Sequence, residues 1–353
     1  MRRTRIGVDI GSTAVRAAEL SMRGVTPTLV RVAQVPTPAG AVVSGEVHDA
    51  GQVGEALREL WQRGKFRSRE VVLGVANQRV VVREVSLPWL SDKELRQTLP
   101  FQVQEFVPIP VEEAVLDFHV LEEFEREGRR MVRLLLVAAQ KAMIEQIVQA
   151  AESARLRPVG LDLVPFAIVR SVGSIDGMGL EASEGGDEAV VDVGADVTSI
   201  CVHAWGVPRF VRILSTGGRD ITAAVARGLS VSDEDAERLK RGAGTESDGA
   251  SAAEAIKVAE SRAASFSDEI RSSLDFYQSQ MPGAQIGRVL LTGGGSKLEE
   301  LRRVLADRVP AVVAQGHPFH RVTPELDLPP EAAAEAEPLL AVAVGLALPG
   351  VRG

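Results

Sequence analysis

Apolar and polar positions change period repeatedly along this chain, and the changes mark out its elements. The first regular stretch, Ile6-Gly-Val-Asp9-Ile-Gly11, is an apolar strand ending in an acid and a glycine, and a strand-like run from Val15 to Leu20 follows at once. The pattern returns mid-chain as Val190-Val-Asp192-Val-Gly194, followed by Val197 to Val202. Both glycines therefore sit between two strands. That excludes the P-loop and the dinucleotide-binding turn, which place their glycines between a strand and a helix. The agreement continues downstream. Gly24-Val25 with Pro27 and Gly206-Val207-Pro208 mark the next turns, and Thr28 to Val35 and Arg209 to Leu214 predict third strands. Asp49 to Arg63 and Asp220 to Leu229, the latter after Gly217-Gly218, predict the helices that come next. A weak duplication of this kind predicts two similar α/β halves packed around a cleft.

Between the halves the repeat breaks. Val71 to Val75 and Arg79 to Val85 predict a hairpin around Asn77-Gln78. Ser91 and Glu94 then form a capping-box signature for a helix running toward Phe106, with Pro100 kinking it and Pro108 and Pro110 ending it. Val115 to Leu121 and Met131 to Val137 predict strands joined by a charged loop from Glu122 to Arg130; a helix from Lys141 to Ala154 and a strand at Val159 to Leu163 complete an inserted α+β module. Three polar or Gly-, Ala- and Pro-containing stretches, 181–188, 242–254 and 324–338, predict solvated connections.

Composition narrows the function classes. The 353 residues suffice for two domains, and a net charge of −8 leaves no overall footprint for nucleic acid. The single cysteine, Cys201, permits no internal disulfide and points to a reducing compartment. Met1-Arg-Arg-Thr-Arg5 lacks a following hydrophobic signal region, and the most apolar segment, Leu339 to Leu348, is about half the length that crosses a bilayer. A membrane role is therefore expected to run through a partner.

Four elements carry candidate chemistry. In the first hairpin, Gly11 would permit a positive-φ turn and close approach of a ligand. The N–H groups of Ser12 and Thr13 would meet phosphate oxygens, and Asp9 would hold magnesium through water. The second hairpin repeats this with Asp192 as metal ligand, Gly194, the backbone of Ala195 and Asp196, and the Thr198 hydroxyl. Gly293-Gly294-Gly295-Ser296 follows a third apolar strand, with Ser296 and Glu299 predicting a capping box for a helix to about Arg308; base and ribose could pack there. Glu237 and Lys240, three apart on a predicted helix, share a face and could reach ribose hydroxyls.

In this order the four elements resemble the actin, Hsp70 and sugar-kinase ATPase superfamily. Gly217-Gly-Arg-Asp-Ile-Thr222 is similar to the turn after the second phosphate hairpin of actins, and Leu339 to Ala347 to the family's second inter-domain connection. Within that superfamily, Ser86-Leu-Pro-Trp-Leu-Ser-Asp-Lys-Glu-Leu95, Phe106-Val-Pro-Ile-Pro110, Val115 to Leu121, Leu135 to Ala139 and Leu161 to Ala167 closely resemble the PilM family of type IV pilus assembly proteins. That family is related to the cell-division protein FtsA. FtsA normally adds a linker and an amphipathic helix beyond the point where this sequence stops, which favours PilM.

The resemblance implies an α/β, actin-like ATPase fold: two RNase H-like halves around a nucleotide cleft, with an inserted α+β subdomain, 1C. It assigns 1–84 and 162–180 to subdomain 1A, with a C-terminal helix at about 338–348 packing back, and 85–161 to 1C. Residues 181–230 and 288–337 fall to 2A, and 231–287 to 2B. It implies a cytoplasmic scaffold, peripheral to the inner membrane, that binds ATP and Mg2+ and grips the cytoplasmic N-terminal tail of a PilN-type membrane protein between 1A and 1C. Phe106, Val107 and Ile109 are apolar candidates for that groove, though they suit a core better. Arg16 stands where many family members have a phosphate-binding Lys, exchanging a compact ammonium for a bulkier fork. No residue is placed to orient an attacking water; Gln140 lies near the corresponding connection. ATP is then expected to be bound and hydrolysed slowly or not at all. An FtsA-like filament protein and a metabolite kinase are the alternatives. The kinase would need an acidic base, for which Asp117 and Asp162 are the nearest offers.

Overall fold

The computed structural model describes residues 4–174, 186–242, 249–281 and 283–350. In the first half β1 (Thr4–Ile10), β2 (Ala14–Ser21) and β3 (Thr28–Pro36) form an antiparallel meander. A short hairpin, β4 (Val42–Val43) and β5 (Glu46–Val47), leads to α1 (Ala50–Gly64). Asp49 caps α1 by accepting from the Gln52 N–H at 2.9 Å, and Lys65 ends it in the left-handed region at φ 50°. β6 (Glu70–Val75) then lies parallel to β1.

The next strand, β7 (Val81–Pro88), does not pair with β6. The expected hairpin is absent because Asn77 turns the chain elsewhere: it is 3% exposed, donates to Ser44 O at 2.8 Å and accepts from the Arg79 N–H at 2.9 Å. Past α2 (Asp92–Gln102), β8 (Ala114–Arg126) and β9 (Arg129–Gln140) join β7 in a separate sheet ordered β7-β9-β8. The Ser91/Glu94 capping box is present, and α2 stops at Gln102 rather than Phe106. The stretch expected as a charged loop is mostly strand. Its charges pair across the ladder, Arg130 with Glu123 at 2.6 Å and Arg133 with Glu122 at 2.5 Å, and the turn tightens to Glu127 and Gly128, both at positive φ. Val107 is buried in this module's core with Phe106 and Ile109 packed against it, so the three behave as interior residues.

α3 (Lys141–Ser153) and β10 (Arg157–Leu163) follow, then α4 (Val164–Val172). Met143, Ile147 and Ala150 of α3 pack into the core of the first half beside α1, and β10 pairs parallel with β6. The inserted module therefore spans about 81–140, narrower than the expected 85–161 at its C-terminal side. The reason is long-range: nothing local tells which sheet β10 will join.

The second half repeats the first. β11 (Asp187–Val193), β12 (Thr198–Ala204) and β13 (Val207–Leu214) form an antiparallel meander, with α5 (Gly218–Leu229), α6 (Asp233–Lys240) and α7 (Gly249–Gln280) after it. β14 (Ile286–Thr292) runs parallel to β11, and α8 (Glu299–Ala306) leads to β15 (Val312–Gln315), parallel to β14. β16 (Thr323–Pro324) returns to the edge of β3, and α9 (Pro330–Ala336) and α10 (Ala341–Ala347) close the described chain. The two sheets are ordered β10-β6-β1-β2-β3-β16 and β13-β12-β11-β14-β15, so each has its meander on one side of the first strand and two parallel strands on the other. The expected connection at 181–188 lies largely outside the described residues, as does part of 242–254, whose last residues are helical in α7.

Packing makes five layers. α1 and α3 cover the first sheet; α10 and α4 lie between the sheets; α7 and α8 cover the second. Ala263, Phe266, Ile270, Leu274 and Tyr277 of α7 recur at helical spacing and are all buried, while Ala255 and Ala259 join α5 and α6 in a smaller cluster. The central helix fits by small residues: a Cβ on Gly345 would lie 1.9 Å from Ala167 O, and one on Gly7 2.1 Å from Ala343 O. Among the described residues no helix is long and apolar enough to cross a membrane.

Candidate functional site

The repeated meanders bring their first turns face to face. Between them lies a cleft of about 1170 Å³, lined by Asp9, Gly11, Ser12, Thr13 and Arg16 from one half, and by Asp192, Gly194, Ala195, Asp196, Glu237, Lys240 and Gly293 to Gly295 from the other. The two turns are built alike. Gly11 N–H donates to Ala14 O at 3.1 Å and Gly194 N–H to Val197 O at 2.9 Å. The N–H groups of Ser12, Thr13, Ala195 and Asp196 have no acceptor among the described residues, which leaves four backbone donors at the cleft. Neither Gly11 nor Gly194 has positive φ, contrary to expectation. Space favours glycine instead: an added Cβ would crowd Ala14 O at 3.0 Å in the first turn and clash with Val197 O at 2.7 Å in the second.

Two expected groups do not reach the cleft. The Thr198 hydroxyl, fully buried, donates to Thr216 O at 2.7 Å. The Ser296 hydroxyl, 4% exposed, donates to Gly293 O at 2.7 Å and accepts from Gln315 at 2.9 Å. Ser296 forms no capping box with Glu299; a 3-10 turn at Gly294–Lys297 intervenes, and Leu298 starts α8 without a side-chain cap. Gly293 and Gly295 before it are tightly placed, while Gly294 has ordinary clearance. Gly293 has φ +80°, and its Cβ would meet Val193 O at 2.6 Å and Asp192 Oδ1 at 2.7 Å.

The electrostatics centre on Asp9 and Asp192. Burial raises the pKa of Asp9, opposed by Arg16, whose Nη1 is 3.5 Å from Asp9 Oδ2. Burial, reinforced by the negative charge of Asp9, pushes Asp192 up to about 7. Two carboxylates from different halves thus share a recess with one cation, and Arg16 also donates to Gln34 at 3.2 Å. In the strand register Arg16 faces Asp9 while Ser199 faces Asp192, so only the first half supplies that cation. Among the described residues no cluster of three or more His, Cys, Asp or Glu could hold a metal alone. A hard divalent cation bridging Asp9 and Asp192 would relieve their repulsion, and phosphate oxygens and waters would have to complete its shell. The donor set fits Mg2+ on those terms.

Glu237 and Lys240 meet at the other end of the cleft. Lys240 Nζ donates to Gly218 O at 3.1 Å, Thr222 Oγ1 at 2.8 Å and Glu237 Oε2 at 2.5 Å, so all three of its donors are used. Burial alone would raise Glu237; hydrogen bonds from Lys240 and Thr222 outweigh it and hold it at about 2. Burial lowers the Lys240 pKa, with Glu237 opposing. The pair ties α6 to α5 and presents a carboxylate to the cleft. The Gly217-Gly218 turn closes on the second hairpin, Gly218 N–H donating to Gly194 O at 2.9 Å. Arg219, within the Gly217–Thr222 run but not itself expected as a site residue, lines the cleft and pairs with Asp196 at 2.9 Å. Leu339 and Val342, which also line the cleft, come from the stretch that resembles the family's second inter-domain connection, far in sequence from either hairpin.

Other candidates fall away from the cleft. Asp162 pairs with buried Arg170, whose Nε donates to Gly345 O at 3.0 Å, and Asp117 pairs with Arg96 at 3.1 Å on the surface. Both are structural, which leaves the kinase alternative without those bases. Gln140, at the end of β9, does not line the cleft.

Comparison with known proteins follows the same line. The family model described as type IV pilus assembly protein PilM matches residues 7–351. The cell division protein FtsA of Bacillus subtilis (strain 168) is 24% identical over 259 residues, which cover 67% of this chain and 57% of FtsA, so the match spans little more than half of that relative. Among solved structures, a PilM–PilN type IV pilus biogenesis complex matches with a TM-score of 0.83 and 29% identity over the whole of both chains. The ethanolamine utilization protein EutJ from Carboxydothermus hydrogenoformans matches at TM-score 0.57 and 16% identity, covering 98% of this chain and 90% of EutJ. MreB5 of Spiroplasma citri bound to ADP matches at 0.52 and 12%, covering 97% and 94%. These two share the fold. With its duplicated meanders, facing turns and inserted three-stranded module, the chain has the actin-like ATPase fold and belongs to the type IV pilus assembly protein PilM family.

Proposed function

We propose that this protein is a nucleotide-binding scaffold of type IV pilus assembly, which binds ATP with Mg2+ in the cleft and holds the cytoplasmic N-terminal tail of a PilN-type inner-membrane protein. The observation that carries the nucleotide reading is the convergence of two like hairpins on one cleft: Asp9 and Asp192 as anionic ligands, Gly11 and Gly194 as spacers, and the N–H groups of Ser12, Thr13, Ala195 and Asp196, which have no acceptor among the described residues. The N–H groups would bind phosphate oxygens from both sides. When bound, Mg2+ would neutralise phosphate charge and bridge it to the two carboxylates. Arg16 would swing between Asp9 and a phosphate, Glu237 would accept from ribose hydroxyls, and Gly293 to Gly295 would let the base lie against the backbone. The partner reading rests on family membership and on the similarity to a PilM–PilN complex. Because each half supplies part of the phosphate site, nucleotide fixes their relative orientation, and with it the groove beside the inserted module that would take an extended peptide.

Titrating a PilN-type N-terminal peptide into the protein with and without Mg-ATP tests this. The proposal expects peptide binding in both states and different affinities between them. Equal affinities remove the nucleotide gating; no peptide binding in either state removes the partner assignment.

A further inference from the structure

We propose that the end of the first sheet opposite the cleft is a docking face for the anionic surface of a phospholipid membrane. β1, β6 and β10 are parallel, and their C-terminal ends point toward Asp9 and the cleft, so their N-terminal ends share the far edge. The chain that reaches that edge is basic: Arg63 at the end of α1 with Lys65, Arg67 and Arg69 between α1 and β6, and Arg155 after α3 with Arg157 at the start of β10, all exposed. The two connections are joined directly, Arg157 N–H donating to Arg69 O at 2.7 Å. The connection is tied to the core beneath it: Trp61 Nε1 donates to Ser68 O at 2.9 Å, and its ring lies tilted at 45° against Phe66 with centroids 5.0 Å apart. Arg63 pairs with Glu59 and Arg157 with Glu70, while Lys65, Arg67, Arg69 and Arg155 have no carboxylate partner among the described residues.

A second feature lies on the same edge. Ser21 at the end of β2 pairs with Thr4 at the start of β1, so the β2–β3 turn projects there. It carries Arg23, also without a carboxylate partner among the described residues, and Val25, whose side chain is wholly exposed at 107%. Unpaired cations spread over two segments, with an apolar side chain at an adjacent tip, suit a diffuse anionic interface with apolar depth. A soluble polyanion would have no use for Val25. A flat membrane meets one face only, and at about 0.1 M salt charges more than about 10 Å behind it are screened. The face thus adds a direct lipid contact where the sequence as a whole predicts only contact through a partner.

Sedimentation of the full chain with large vesicles tests the proposal. At about 0.1 M salt, wild type is expected to sediment with phosphatidylethanolamine–phosphatidylglycerol vesicles and not with phosphatidylcholine vesicles. The triple variant Arg67→Gln, Arg69→Gln, Arg155→Gln is expected to partition about 100-fold more weakly, at roughly fivefold per cation. Thermal unfolding and nucleotide binding at the distant cleft serve as the folding controls and are expected to be unchanged. Equal binding to both vesicle types, or full retention by a triple variant that passes those controls, overturns the proposal. Binding of soluble polyglutamate or RNA by a protein that ignores anionic vesicles also overturns it, and assigns the face to another polyanion.

Discussion

Asp192→Asn should stabilise the nucleotide-free protein at alkaline pH while weakening its proposed ligand. Burial and Asp9 push Asp192 up to about 7 from an ordinary 3.8. The folded state therefore holds this proton more tightly than the unfolded chain does. Stability from this group is greatest below about pH 4, falls as pH rises toward 7, and levels off above. A difference of about three pH units corresponds to roughly 4 kcal/mol at about 1.4 kcal/mol each. The side chain is only partly shielded from solvent, so screening reduces this to about 2–4 kcal/mol at pH 8. Asn keeps the shape and removes the charge. Denaturant unfolding of nucleotide-free protein at pH 5 and pH 8 measures the effect. Wild type should lose about 1–3 kcal/mol from this group between those pH values, and the variant should lose less and be the more stable at pH 8. A variant that is no more stable than wild type at pH 8, with the same pH slope, would show that Asp192 is ionised without cost and that no cation is needed there.

Four further outcomes follow from single contacts. Gly345→Ala places a Cβ 1.9 Å from Ala167 O between α10 and α4, so soluble yield should collapse, or stability should drop by about 3 kcal/mol or more in denaturant unfolding. Gly293→Ala drives a Cβ against Val193 O and Asp192 Oδ1 at a positive-φ position, and nucleotide titration should show binding weakened at least tenfold, equivalent to about 1.4 kcal/mol. Glu237, held at about 2, contributes stability present above its ordinary 4.5 and lost as pH falls toward 2; Glu237→Gln should flatten that acid limb in a pH melt. Cys201 is fully buried and burial pushes its thiol pKa up, so a thiol reagent should titrate it only after denaturant is added.

The hairpins could be read from sequence because the chemistry that builds them is local. An apolar run, an acid and a glycine fix a strand end and a tight turn within six residues, and the second copy in the same order supplied the fold. The Ser91/Glu94 box was legible for the same reason. What failed was set at long range. Asn77 bonds to Ser44, far back in the chain, and so sends β7 into another sheet than β6. The edge that β10 joins decides where the inserted module ends. Thr198 and Ser296 looked like site hydroxyls by position, but each had a nearby carbonyl to satisfy. The basic edge was hidden by averaging, since an overall acidic balance says nothing about where charges of either sign gather.

If Asp9 and Asp192 jointly hold a nucleotide-bound cation, calorimetric titration of ATP into wild type and into Asp9→Asn/Asp192→Asn, each with Mg2+ and with EDTA, should show it. Wild type should bind strongly with Mg2+ and much more weakly with EDTA, and the variant should bind weakly with Mg2+ making no difference. Equal affinity of both proteins for Mg-ATP, or wild-type binding indifferent to EDTA, would contradict it.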